Sequence, residues 1–230
     1  MESVECSQAS LVPGGTVGPW AVVEALADTS IEHAQTDAAA ATTVAQPASM
    51  SASAHAASAT RTAYRLRGPK GELAQITVVR GGTLSLERGR EQARRELAAY
   101  AKLSIPGMLP LIGVATIDTG LGVIERVDLD ATRRLPHGIG LADALTTVVI
   151  PLAKTLLALS RHAVVHKSLL PESIVLCNGE VLLGQPVLAA GERSILASPE
   201  QRAGRPLDPR SSVYSLAAMA LWMHSADVAN

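Results

Sequence analysis

The run Trp20 to Leu26, Trp-Ala-Val-Val-Glu-Ala-Leu, is rich in β-branched residues and follows the turn residues Val12-Pro13-Gly14-Gly15; it predicts a strand. Tyr64 to Arg67 and Leu73 to Val79 predict a second and a third strand, joined as a hairpin by Gly68-Pro69-Lys70-Gly71. Between these regions, Ala34 to Thr62 is almost wholly Ala, Ser and Thr. Such a segment buries too little apolar surface to offset its ordering entropy, so a flexible insert is expected. Leu86 to Leu103 carries Ala93, Leu97, Tyr100 and Ala101 at helical spacing and ends before Pro106-Gly107. Two further strand-like runs, Leu109 to Val114 and Leu121 to Val127, flank the turn Asp118-Thr119-Gly120.

After Asp128 the pattern changes. Leu141 to His162 reads as a long apolar helix, and Val164-Val165 leads into a loop. Short strands at Ile174 to Leu176 and Val181 to Leu183 surround Asn178-Gly179, and a last helix starts near Ser211-Ser212 and reaches about Met223. Strands with one helix, then helices with a small hairpin, predict an α+β chain of two lobes joined near Asp128 to Ala131. The expected division is a tail over 1–16, a first lobe over 17–127 containing the 34–62 insert, and a second lobe over 128–230.

Composition narrows the chemistry. The 230 residues include no Phe and 2% aromatics, so a core must be built from Leu, Val, Ile and Ala. A net charge of -1 argues against a nucleic-acid or anionic-membrane partner. Cys6 and Cys177 stand alone, and His33, His55, His137, His162 and His224 show no ligand spacing, so no disulfide framework and no metal site is expected. Met1 to Pro13 has no signal-type apolar run, and Val213 to Met223 is interrupted and too short to cross a bilayer. The expectation is a soluble, cytoplasmic chain.

One stretch carries a family pattern. His166-Lys167-Ser168-Leu169-Leu170-Pro171-Glu172-Ser173, followed by the apolar Ile174 to Leu176, resembles the protein-kinase catalytic loop, His-Arg-Asp then Leu-Lys-Pro-Glu-Asn and a strand. Ala197-Ser198-Pro199-Glu200 is similar to the Ala-Pro-Glu segment that closes the activation loop. Leu207 to Leu216 resembles the start of the central helix of bacterial serine/threonine kinases. Upstream, Val17 to Leu26 and Leu73 to Arg80 resemble the first and third kinase strands, Arg95-Glu96-Leu97 helix C, and Leu103 to Leu111 the passage into the fourth strand. The resemblance implies a two-lobed protein-kinase-like fold, a small antiparallel sheet lobe with helix C and a mainly helical large lobe, truncated after the central helix.

The same resemblance implies degenerate chemistry, because phosphoryl transfer rests on placed charges. Leu26-Ala27-Asp28-Thr29-Ser30 stands where a glycine-rich phosphate loop is expected, without a glycine. Thr77 replaces the strand lysine, leaving Glu96 without its ion pair. Ser168 replaces the catalytic Asp, and Ser173 and Gln185 replace the two magnesium ligands. The reading is a pseudokinase that binds a protein partner, or itself, with no cofactor. The alternative is a weak serine/threonine kinase using ATP and magnesium.

In the with-no-lysine kinases the phosphate lysine moves to the second strand. Arg61 sits in a similar place, although a solvated arginine beside the insert is the simpler expectation. Ala63, Val78 and Glu125 to Asp128 would line an adenine pocket by resemblance. His166 is expected to pack inward and bond backbone, while Lys167 replaces an arginine that grips a phosphorylated loop. Ser212 is expected to cap the last helix, with Asp208, Asp128 and Asp130 as surface or turn carboxylates. Glu200 would lack its arginine. Val213, Leu216, Ala217, Ala220, Leu221 and Trp222 would expose an apolar face on the last helix, a surface for a protein partner or for self-association.

Overall fold

The computed structural model describes residues 11, 13–26, 60–117, 120–127, 132–133, 135–136, 138–188 and 194–225. The loop after Leu26, residues 34–59 of the insert, Asp118-Thr119 and the lobe junction 128–131 lie outside the described residues.

Strand propensity and turn glycines build the first lobe. Strands β1 (Thr16–Val17), β2 (Trp20–Leu26), β3 (Thr60–Arg67), β4 (Leu73–Arg80), β5 (Leu111–Ile117) and β6 (Gly120–Arg126) form one antiparallel sheet in the order β1-β2-β3-β4-β6-β5. The β3–β4 hairpin turns where expected, with Gly71 at φ +84 and its N–H bonded to Gly68 O. Strand β3 begins at Thr60, so Thr60, Arg61 and Thr62 are ladder residues and not the end of a flexible insert. Side chains alternate across the sheet. Leu66, Ala74, Ile76, Val78, Ala115, Ile117 and Ile124 pack on one face with Val17, Trp20 and Val22. On the other face Val79, Leu121 and Val123 meet Ala93, Leu97 and Tyr100 of helix α1 (Glu87–Tyr100).

That second core runs on into the other lobe without a break, through Ile105 and Met108 to Leu152, Leu183 and Met219. Leu183 N–H donates to Gly107 O and Leu109 N–H to Leu183 O, both at 2.8 Å. Gly107 has φ +80, and a Cβ there would sit 2.1 Å from Thr155 Oγ1, so only glycine lets this crossing press against the large lobe.

The large lobe pairs β7 (Thr132–Arg133), β8 (Ile174–Cys177) and β9 (Glu180–Leu183) and packs them with a long helical run. The run consists of α2 (Leu141–Ala144), a wide π turn over Leu145–Val149, and α3 (Ile150–Arg161). Pro151, which has no N–H to donate, follows directly on the wide turn, and the Thr146 and Thr147 hydroxyls donate to Ala142 O and Asp143 O one turn earlier. By length and composition the run is apolar enough to cross a bilayer. Its Ala144, Val148, Leu152 and Leu159 nevertheless belong to the core.

The short α4 (Pro199–Arg202) precedes the last helix, α5 (Pro209–His224). Asp208, not Ser212, is its cap: Asp208 Oδ1 accepts from Arg210 N–H at 2.7 Å, and Ser212 lies a turn inside. The apolar face of α5 is narrower than the sequence suggests. Leu216 and Ala220 are buried and Trp222 is half-buried against the core, because α2, the π turn and α3 cover that side. Val213 and Leu221, 66% and 64% exposed, remain uncovered with Ala217 between them.

Candidate functional site

The site positions meet where the inner face of the sheet, α1 and the loop after α3 come together. Thr77 on β4 is fully buried, and its hydroxyl accepts from Gln75 Nε2 at 3.1 Å. Pairing sets Ala63 opposite Thr77 and Arg61 opposite Val79, so Arg61 and Ala63 share the inner face with Thr77. Val78 does not. It packs in the outer core with Leu66 and Ile76, one residue out of phase with the site.

Arg61 is not a solvated arginine. The residue is half-buried and its guanidinium end is enclosed, with Glu125 and Glu172 as the carboxylates that attract it. Burial pushes its pKa down while the two carboxylates pull it back up. Glu125, at the end of β6, is 1% exposed and reaches across to the large lobe, where its Oε1 accepts from Gln185 N–H at 2.7 Å. Burial pushes this carboxyl up to about 7, against the opposing pull of Arg61 and the Gln185 N–H. Glu125, expected on a pocket lining, is instead a buried carboxyl attracted to the Arg61 guanidinium.

The loop after α3 is fixed by its own backbone. His166 is buried, with Nδ1 accepting from Ser168 N–H and Nε2 facing Gly184 O, both at 3.3 Å. Those partners set the tautomer, because an accepting Nδ1 leaves the ring proton on Nε2. Burial pushes the imidazole down to about 4, so it is neutral near pH 7. Ser168 is buried beside it. Ser173 Oγ donates to Leu170 O at 2.6 Å and accepts from Leu170 N–H at 3.0 Å. Gln185 Oε1 accepts from Val187 N–H and Leu188 N–H at 2.7 and 2.8 Å. Among the described residues, no three His, Cys, Asp or Glu side chains converge as a metal site would require.

Glu96 keeps an ion pair, contrary to the expectation from Thr77. Its Oε2 lies 2.5 Å from Lys167 Nζ, and its Oε1 accepts from Gln92 Nε2 at 2.9 Å. Partial burial works against the charged carboxylate, but these bonds outweigh it and hold Glu96 below its usual range. Lys167 is therefore turned to helix α1. Glu200 also has a partner, the Ser211 hydroxyl at 2.7 Å, where the family pattern suggested an unmatched carboxylate.

No protein-family model matches the chain, and no curated protein matches it. Solved structures do. The kinase domain of PknI from Mycobacterium tuberculosis superposes with TM-score 0.65 at 18% identity, over 94% of this chain and 76% of that one. A doubly substituted form of the same domain gives TM-score 0.68 at 18% identity, over 94% and 76%. A singly substituted form gives 0.65 at 19% identity, over 94% and 77%. The chain thus has a two-lobed, α+β protein-kinase-like fold.

Proposed function

We propose that this kinase-like chain works by binding another protein and not by transferring phosphate. The observation that carries the reading is the state of the two positions where the fold would present magnesium ligands. Ser173 and Gln185 are neutral, and their side-chain oxygens are already engaged with backbone N–H groups. A hard divalent cation needs free anionic oxygen at such positions, so this donor set does not fit magnesium. Ser168 adds that no carboxylate stands where a base would accept a hydroxyl proton. The exposed Val213, Ala217 and Leu221 stripe on α5 supports the binding half of the proposal, through a protein partner or a second copy.

A second reading, a residual ATP-dependent serine/threonine kinase, is favoured by one observation. Arg61 lies on the inner face beside Thr77, a cation close to where the missing lysine would have been. A thermal-shift titration with ATP, with and without magnesium, separates the two. A ligand at about 100 times its Kd stabilises by about 2.7 kcal/mol. For a chain of this size that raises Tm by roughly 5–11 °C. The binding-module reading expects a cooperative transition that ignores ATP and magnesium; a magnesium-dependent rise refutes it and revives the enzyme.

A further inference from the structure

We propose that Glu96 and Lys167 form a latch between the lobes that fixes helix α1 without a ligand, and that Gln201 sets the latch by holding Lys167 in place. The inference stands apart from whether the chain binds nucleotide or transfers phosphate.

The argument begins with where the cation comes from. Thr77 offers no charge from the sheet, and the cation that meets Glu96 is instead 71 residues further along, in the large lobe. The pair therefore ties α1 directly to the large lobe and not to its own sheet. Both backbone groups of Lys167 are anchored. Its N–H donates to Pro186 O at 2.8 Å, and its carbonyl accepts from Gln201 Nε2 at 2.6 Å. Gln201 is itself locked into the cap of α4, exchanging hydrogen bonds with Ser198 at 3.1 and 3.3 Å. A lysine whose backbone is held this way loses less freedom on pairing than one on a mobile loop. On the other side Gln92 orients the carboxylate from the preceding turn.

The other supports of α1 are few: the Arg90 guanidinium holds its first turn by donating to Leu84 O at 2.8 Å, and the rest is a small buried face. Its start at Leu86 has no side-chain cap, and only Ala93, Leu97 and Tyr100 of its fourteen residues are buried. The two side chains are 39% and 33% exposed, so water reaches the pair and it is weak enough to open. Contact from Ser198 through Gln201 and Lys167 to Glu96 is continuous, and a shift of α4 would reach α1 along it.

Hydrogen exchange of the full chain tests the latch, with the β3–β4 amides as an internal reference. Glu96→Gln, Lys167→Met and Gln201→Ala should each speed exchange in α1 by about threefold or more while the β3–β4 amides keep their rates. The reversed pair, Glu96→Lys with Lys167→Glu, should bring α1 back to within about 1.5-fold of the parent. Unchanged α1 rates in the single variants would overturn the proposal. So would equal acceleration in α1 and the sheet, or a reversed pair no better than the singles.

Discussion

Replacing Glu125 with Gln takes one ionisation out of the protein interior while keeping the side-chain shape and the acceptor for the Gln185 N–H. In the folded chain this carboxyl titrates near 7 against an ordinary 4.5. Between those values the folded state holds a proton that the unfolded state has released. Stability therefore falls as pH rises through that window. At ~1.4 kcal/mol per pH unit the loss amounts to about 3 kcal/mol. His166 works in the opposite direction. With its pKa pushed down to about 4 from 6.5, the folded state binds fewer protons between those values, and stability rises with pH there. The two slopes oppose each other in the parent protein over the range they share. The Gln variant removes only the falling one. Other carboxylates, such as Glu96, Glu200 and Asp208, cancel when variant and parent are compared at the same pH. Urea unfolding at about pH 5 and about pH 8 measures the difference. Relative to the parent, Glu125→Gln should gain about 3 kcal/mol between the two conditions, or roughly 6–12 °C in Tm. A difference that is the same at both pH values would refute the buried, proton-holding Glu125 and would mean that Arg61 and the Gln185 N–H keep the carboxylate ionised despite its burial.

Two further substitutions test the large lobe. Asp208→Ala removes the cap of α5 and should lower the urea midpoint, with an unchanged midpoint showing that the helix starts elsewhere. Val213→Lys with Leu221→Lys should change stability by no more than about 0.5 kcal/mol, since both side chains face water. Sedimentation equilibrium should show that the same pair abolishes any self-association of the parent; association that survives both lysines would move the contact off α5.

The elements that carried strong local signals were legible in advance. The β3–β4 hairpin has its turn glycines, α1 its helical spacing, and β8–β9 its Asn178-Gly179 turn, and each is found within a few residues of expectation. Most of the differences depend on a partner far away in the chain, the cap of α5 being the local exception. Arg61 looked like the margin of a low-complexity stretch because its ladder partner Val79 is not adjacent in sequence. Counting by twos from Thr77 sets Val79 on the inner face and Val78 on the outer one, and the hairpin register then carries Arg61 to the inner face opposite Val79. Glu96 was matched to the strand position the family pattern prescribes, while its cation had moved to Lys167. Ser212 is the cap only by its place in the family pattern, whereas Asp208 followed by Pro209 is the stronger local start signal. Leu216 and Ala220 seemed uncovered because the cover comes from helical turns more than fifty residues earlier.

The placement of the tryptophans has an optical consequence. The chain has two tryptophans, and they fall on different sides of the sheet: Trp20 is buried in the outer core of the first lobe, and Trp222 is half-buried against the core shared with the large lobe. An indole away from water emits further to the blue than one partly in contact with it, so Trp20 weights the blue side of the intrinsic emission and Trp222 the red side. Each hydrophobic core thus carries its own built-in dye. Unfolding followed at two wavelengths would show whether the lobes melt together or one after the other, with no label attached.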